Sequence, residues 1–273
     1  MQNLAALLQS VVYGDSAYPS GRYTLSHGLE GLVQQGITQG IEQVGHALLD
    51  HLRFVAAPGD GLATAVAVLL ASCLSASDCE TTSTSTANAA LQRPEEALIM
   101  QRPPRCPEAL ELLITLDREL SATKITEPLR KASSRVGRQT LSVHGQVSSV
   151  DGLLKEYSEA VASRCTPGNQ AIALGLIHQS HGLNAQEAVG VEFISLAVGW
   201  TSAALRLRQC DHVSAQAIVA QTVPFVEQLS GEVAEAACDL LVDGDFSEIG
   251  RASPGSDLAS ARHQFASARL FLS

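Results

Sequence analysis

Asn184-Ala-Gln-Glu187-Ala-Val-Gly-Val-Glu-Phe-Ile-Ser-Leu-Ala-Val-Gly-Trp-Thr-Ser-Ala-Ala-Leu-Arg-Leu207 is the stretch that decides the fold class. Asn184 and Glu187 stand three apart, the spacing at which an N-cap side chain and its capping-box partner satisfy each other's backbone N–H groups. Val189, Phe193, Leu196, Trp200, Ala203 and Leu207 then recur every three or four residues, which puts them on one face of a long helix. A stripe of that length, holding the single tryptophan, reads as core rather than as a cofactor box.

Working outward, a second helical pattern covers about 223–241 and stops at Asp243-Gly244-Asp245. Upstream, helices are expected at 107–121 and 126–142, with a loop from Gly145 to Gly152. Two more are expected at 40–56 and 60–75, with Pro58-Gly59-Asp60 as the break between them. Residues 4–12 form a short apolar helix, and Gly14-Asp15-Ser16 with Pro19-Ser20-Gly21 makes a turn-rich loop. A helix from about Leu25 follows, with Leu25, Leu29, Leu32 and Val33 on one face and Gly36 as its stop. Strand-like alternation is absent apart from a short extended candidate at Leu141-Ser-Val-His-Gly145. The expected fold is all-α: a single-domain helical bundle over residues 1–273, closed by an amphipathic docking helix. Residues 75–106 read as a disordered low-complexity insertion, because Thr81-Thr-Ser-Thr-Ser-Thr86 and Pro94, Pro103 and Pro104, with Pro107 just beyond, cannot support a packed face.

Composition narrows the function. Hydrophobic residues are 45%, charged residues 17% and aromatics 4% of 273, so apolarity comes from Ala, Leu and Val, with little charge left for a fully solvated surface. Cover by another subunit is the expectation. A net charge of −10 repels polyanions, which argues against nucleic acid. No positively charged leader precedes Leu4-Ala-Ala-Leu-Leu8, and the most apolar run, 61–74, is too short to span a membrane, so a cytoplasmic protein is expected. Six cysteines without a CxxC pair read as reduced thiols.

No catalytic constellation emerges, and no cofactor is expected. Gly14 to Gly21 has glycines but neither the lysine nor the strand of a phosphate-binding loop. Ser121-Ala-Thr-Lys124 lacks the companion motifs of a serine acyl-transfer enzyme. His178 and His181, three apart near a helix end, are weak metal candidates with no third ligand in sight; capping the helix is the simpler role.

Several ordered blocks resemble the UreF family of urease accessory proteins. Asp15-Ser-Ala-Tyr-Pro-Ser-Gly-Arg-Tyr-Thr-Leu-Ser-His-Gly-Leu-Glu30 is similar to that family's Asp-Ser-x-x-Pro-x-Gly followed by Ser-x-Gly-x-Glu. Thr126 to Arg138 resembles its central segment ending in hydrophobic-Gly-Arg, and Ala203-Ala-Leu-Arg-Leu207 the end of its long helix. The best match is Pro254 to Ser273, through Pro254, Asp257, Ser260, His263 and Arg269-Leu-Phe271. Two departures are Tyr23-Thr24-Leu25-Ser26, where the family has alternating aromatic and serine residues, and Gln264, where it has Glu.

The resemblance implies a non-enzymatic, homodimeric chaperone that bridges a UreD/UreH-type accessory protein and the GTPase UreG, so that nickel reaches apo-urease. It assigns Asp257, His263, Arg269, Leu270 and Phe271 to the UreD/UreH-type partner, and Tyr18, Pro19, Gly21, Ser26 and Glu30 to the GTPase. The alternatives are a nickel-binding metallochaperone using His178 and His181, a helical adaptor unrelated to urease, and a helical enzyme of unknown substrate.

The closing segment carries its own pattern. Pro254 and Gly255 break the chain, Ser256 can cap a helix, and Asp257 suits its positive end. Leu258, Ala261, Phe265, Ala268 and Leu272 then define one apolar face of a helix of about fifteen residues, too short to be stable alone. Its stripe must close the parent core or dock on a partner.

Overall fold

A computed structural model describes residues 4–80, 106–266 and 269–271, and these residues are helical with no strand among them. The α-helices are α1 (Leu4–Gly14), α2 (Leu29–Gln34), α3 (Gly40–His51), α4 (Leu62–Glu80), α5 (Cys106–Thr123), α6 (Glu127–Val147), α7 (Gly152–Ala162), α8 (Gln170–Ser180), α9 (Ala185–Arg206), α10 (His212–Asp243) and α11 (Pro254–His263). The all-α bundle is therefore as expected from the periodicity.

At the centre lies α4, apolar on every side and buried from Ala63 through Leu70, as a helix enclosed all round must be. It packs against α8, α9 and α10. Close approach to α8 depends on Gly175, where a Cβ would fall 2.7 Å from the Thr64 carbonyl oxygen. On α9 the capping box forms as the spacing predicts: Asn184 Oδ1 accepts from Glu187 N–H and Glu187 accepts from Asn184 N–H. Val189, Phe193, Trp200 and Ala203 are buried, and the Trp200 indole donates to the Val44 carbonyl at 3.2 Å.

The Val136-Gly137-Arg138 run has a local reason. A Cβ at Gly137 would sit 2.2 Å from the Gly168 carbonyl oxygen, so α6 meets the turn before α8 only with glycine there, and Arg138 donates to the Pro167 carbonyl. Buried Asp117 on α5 holds the same turn from below, accepting from the N–H groups of Gly168 and Asn169.

Five expectations about elements require correction. Pro58 does not end the helix: Leu52–Gly61 is a π-helix that joins α3 to α4. Around the proline the backbone finds distant partners: the Phe54 carbonyl accepts from Ala252 N–H at 2.8 Å, and the Pro58 carbonyl accepts from Gly250 N–H. The helix expected from Leu25 is a 3₁₀ turn, Arg22–Thr24, followed by left-handed His27 and Gly28 and then α2; Gly36 does stop it. Residues 141–145 are helical within α6, because Leu141 and His144 are buried on its core face. Helix α10 begins at His212, capped by Asp211, and contains Pro224. Pro224 is tolerated because it and Ala220, whose carbonyl loses its donor, are exposed to water. Finally, Ser75 lies inside α4, whose backbone continues to Glu80; the rest of the expected insertion, 81–105, lies outside the described residues. Gly40–Ser75 and Ala185–Arg206 are long and apolar enough to cross a membrane by length and composition, yet both are packed as core segments of the bundle.

A candidate docking site where the first loop meets the closing segment

The closing segment differs from its sequence pattern. Helix α11 ends at His263, and the face it turns inward is Ser256, Asp257, Ala259, Ser260 and His263. The apolar stripe points outward instead: Leu258 is 52% exposed and Phe265 84%. Ala268 and Leu272, the rest of that stripe, lie outside the described residues. Close contact with α2 decides the matter. At Gly31 a Cβ would meet the Ala259 carbonyl oxygen at 2.8 Å, so only the small-residue face of α11 fits against α2.

Glu30 is the anchor. It is 1% exposed, and its Oε2 is 2.6 Å from His263 Nε2 and accepts from Phe271 N–H at 3.1 Å. Its Oε1 accepts from Leu270 N–H at 2.7 Å. Gln34 Nε2 adds a longer bond to Oε1 at 3.4 Å, so four donors surround the buried carboxylate, and charge-assisted bonds of this kind are the strong ones. Phe271, 3% exposed, lies beneath the Arg206 guanidinium at 4.2 Å from its ring centre, and Arg206 also donates to the Tyr23 carbonyl. Asp257 is buried and pairs with Arg251 at 2.8 Å.

Segments that the resemblance gives to two different partners are thus one site within this chain. Glu30, His263, Leu270 and Phe271 meet in it, and Asp257 supports it. Ser26 is buried just before α2, where its hydroxyl accepts from Glu30 N–H. Arg269 and Leu270 are exposed, Leu270 at 68%. Tyr18 and Pro19 lie elsewhere. The Tyr18 ring stands 4.9 Å from Tyr13, burial pushes its phenol up, Pro19 is exposed, and Gly21 takes the left-handed φ of 81° that turns the loop into Arg22.

His178 and His181 are brought near His144 and Tyr13, with ring centres 5.5–6.3 Å from Tyr13. His178 Nε2 is 3.1 Å from Glu192, and among the described residues no three metal-ligating side chains converge. Glu192 also pairs with Arg22 at 2.5 Å. Burial raises its carboxyl, but Arg22, then His178 and Gln170, outweigh that and hold it below the usual range.

Arg206, Arg251, Arg22 and Glu192 carry no individual signal in the sequence. Arg206 sits inside a block similar to the family's, but nothing local indicates that it covers Phe271.

A family model described as UreF matches residues 39–223. Urease accessory protein UreF 2 of Brucella canis is 23% identical over 271 residues, covering 99% of this chain and 93% of its own length. UreF 1 of Brucella melitensis is 22% identical over 271 residues, 99% of this chain and 94% of its own length. Urease accessory protein UreF of Yersinia pestis is 22% identical over 269 residues, 98% of this chain and 99% of its own length.

Proposed function

The chain belongs to the UreF family of urease accessory proteins, and we propose that it is the non-catalytic bridge between a UreD/UreH-type protein and a UreG-type GTPase during nickel delivery to apo-urease. The observation that carries this reading is the closing segment, fastened from within by Glu30 while Leu258, Phe265 and Leu270 stand in solvent beside Arg269. Ordering a segment while leaving its large apolar side chains bare makes sense if a partner covers them.

On this reading Leu258, Phe265, Arg269 and Leu270 touch the UreD/UreH-type partner, and Asp257, His263 and Phe271 hold them in position from below. The GTPase meets the loop at Tyr18, Pro19 and Gly21, with Ser26 and Glu30 supporting it. The protein acts in the cytoplasm as a homodimer and carries no nucleotide or metal of its own.

The test is co-expression with UreD/UreH-type and UreG-type proteins of the same host. Phe265→Ser and Leu258→Ser, both at exposed positions, should leave the helical content unchanged and cost at least about tenfold in capture of the UreD/UreH-type partner, the loss of roughly one buried aromatic anchor. Undiminished capture of both partners by the double variant would remove this segment from the interface.

A further inference from the structure

A cavity of about 110 Å³ lies between the first loop, the π-helix and the closing segment, lined by three cations, of which Arg22 and Lys124 are buried and Arg251 is partly buried. Arg22 pairs with Glu192 at 2.5 Å, Lys124 with Asp60 at 2.9 Å and Arg251 with Asp257 at 2.8 Å. These pairs leave donors over. Arg22 Nη1 and Arg251 Nε are buried with no hydrogen-bond partner, and Arg22 is 8% exposed. Two of the carboxylates are already hydrogen-bonded, Glu192 by Arg22 and His178 and Asp60 by Lys124, while Asp257 Oδ1 faces Arg251 as an ion pair without a formed hydrogen bond. A buried N–H without an acceptor is costly, and two on residues that line one cavity ask for an acceptor-rich guest.

From this surplus of donors we infer that the cavity is a binding site for a small oxyanion, held between Arg22 of the first loop and Arg251 ahead of α11. A volume of this size takes several water-sized groups, enough for a phosphate-sized ion with some of its hydration. The three ion pairs are already neutral, so the site suits a singly charged guest such as a carboxylate or the monoanion of phosphate rather than a multiply charged one. His27 and His51 line the same cavity and are held neutral, His27 by burial and by Arg22, His51 by burial and by His27. Each neutral ring keeps one N–H that can turn to the guest. Because Ser256 and Ser260 of α11 also line the cavity, an ion there ties the closing segment to the first loop. The site is independent of any partner assignment.

Trp200 supplies a reporter, since its ring centre is 5.0 Å from that of His51. Inorganic phosphate and, separately, acetate are titrated against chloride at matched ionic strength, following tryptophan emission and the melting temperature of the full chain. The expected result is a saturable emission change and a rise in melting temperature beyond the chloride control. Arg22→Lys and Arg251→Lys keep the charge opposite Glu192 and Asp257 but lose the spare N–H, and each should weaken the response about tenfold, the worth of one charge-assisted hydrogen bond. Far-UV circular dichroism checks that both fold; should Arg22→Lys fail that check, Arg251→Lys decides. A response no different from chloride, as from a cavity that holds water alone, or an equal response in the folded variants, would overturn the site.

Discussion

Glu30 is where a single side chain has the largest reach. Its two oxygens take His263 Nε2 and the N–H groups of Leu270 and Phe271, residues more than two hundred positions away. Glu30→Gln keeps the shape but turns an amide NH₂ toward donors. The expected cost is about 2–3 kcal/mol, that of losing a charged hydrogen-bond acceptor in a buried site. The consequence is faster hydrogen exchange over 264–266 and 269–271 with α4 and α9 unaffected, and unchanged exchange there would show that Glu30 does not hold the segment. The histidines make a second residue-scale prediction. Burial, followed by Arg22, lowers His27 from 6.5 to about 4, and burial lowers His51, His144 and His181 as well. The unfolded chain therefore binds protons that the folded chain refuses, so stability falls as pH drops from 6.5, with His27's share spent by about 4. Melting temperatures measured across that window should decline with acid, and His27→Gln should flatten the decline. A parallel slope in the variant would contradict the assignment to His27.

At the scale of elements, contact geometry overrode local pattern in the closing segment. The pattern indicates a helix of about fifteen residues; one forms from Pro254 but ends at His263, short of Phe265, and the side that packs is chosen by α2, where Gly31 admits only a flat, small-residue face. Gly31→Ala should therefore displace α11 and expose Phe271 while α2 stays helical; a variant that keeps its protease resistance near His263 would show that the contact can yield. Helix α9 is the opposite case, since its cap and stripe are both local. Asn184→Ala should cost about 1 kcal/mol, the usual worth of an N-cap, read as a lowered urea midpoint without a change in slope. The π-helix explains why the Pro58-Gly59-Asp60 break misled. Ala252 and Gly250, far along the chain, donate to the Phe54 and Pro58 carbonyls. Neither remedy is written near the proline.

For the molecule as a whole, the amino-acid order is enough for the class: helix-period stripes, small apolar residues and caps compel a helical bundle, and the long α9 core face could be read residue by residue. It also carried the candidate site residues, through blocks similar to one family's. How those residues meet follows from three-dimensional packing. Glu30 with His263, Arg22 with Glu192 and Arg206 over Phe271 are pairs of high sequence separation, and neither Tyr18 nor Pro19 joins them. Periodicity reports which residues share a face, a property of the local backbone. Whether that face is buried, and against which charge, depends on what the chain brings opposite it, and the closing helix shows the difference: its apolar side meets water because its small side was the one that fitted.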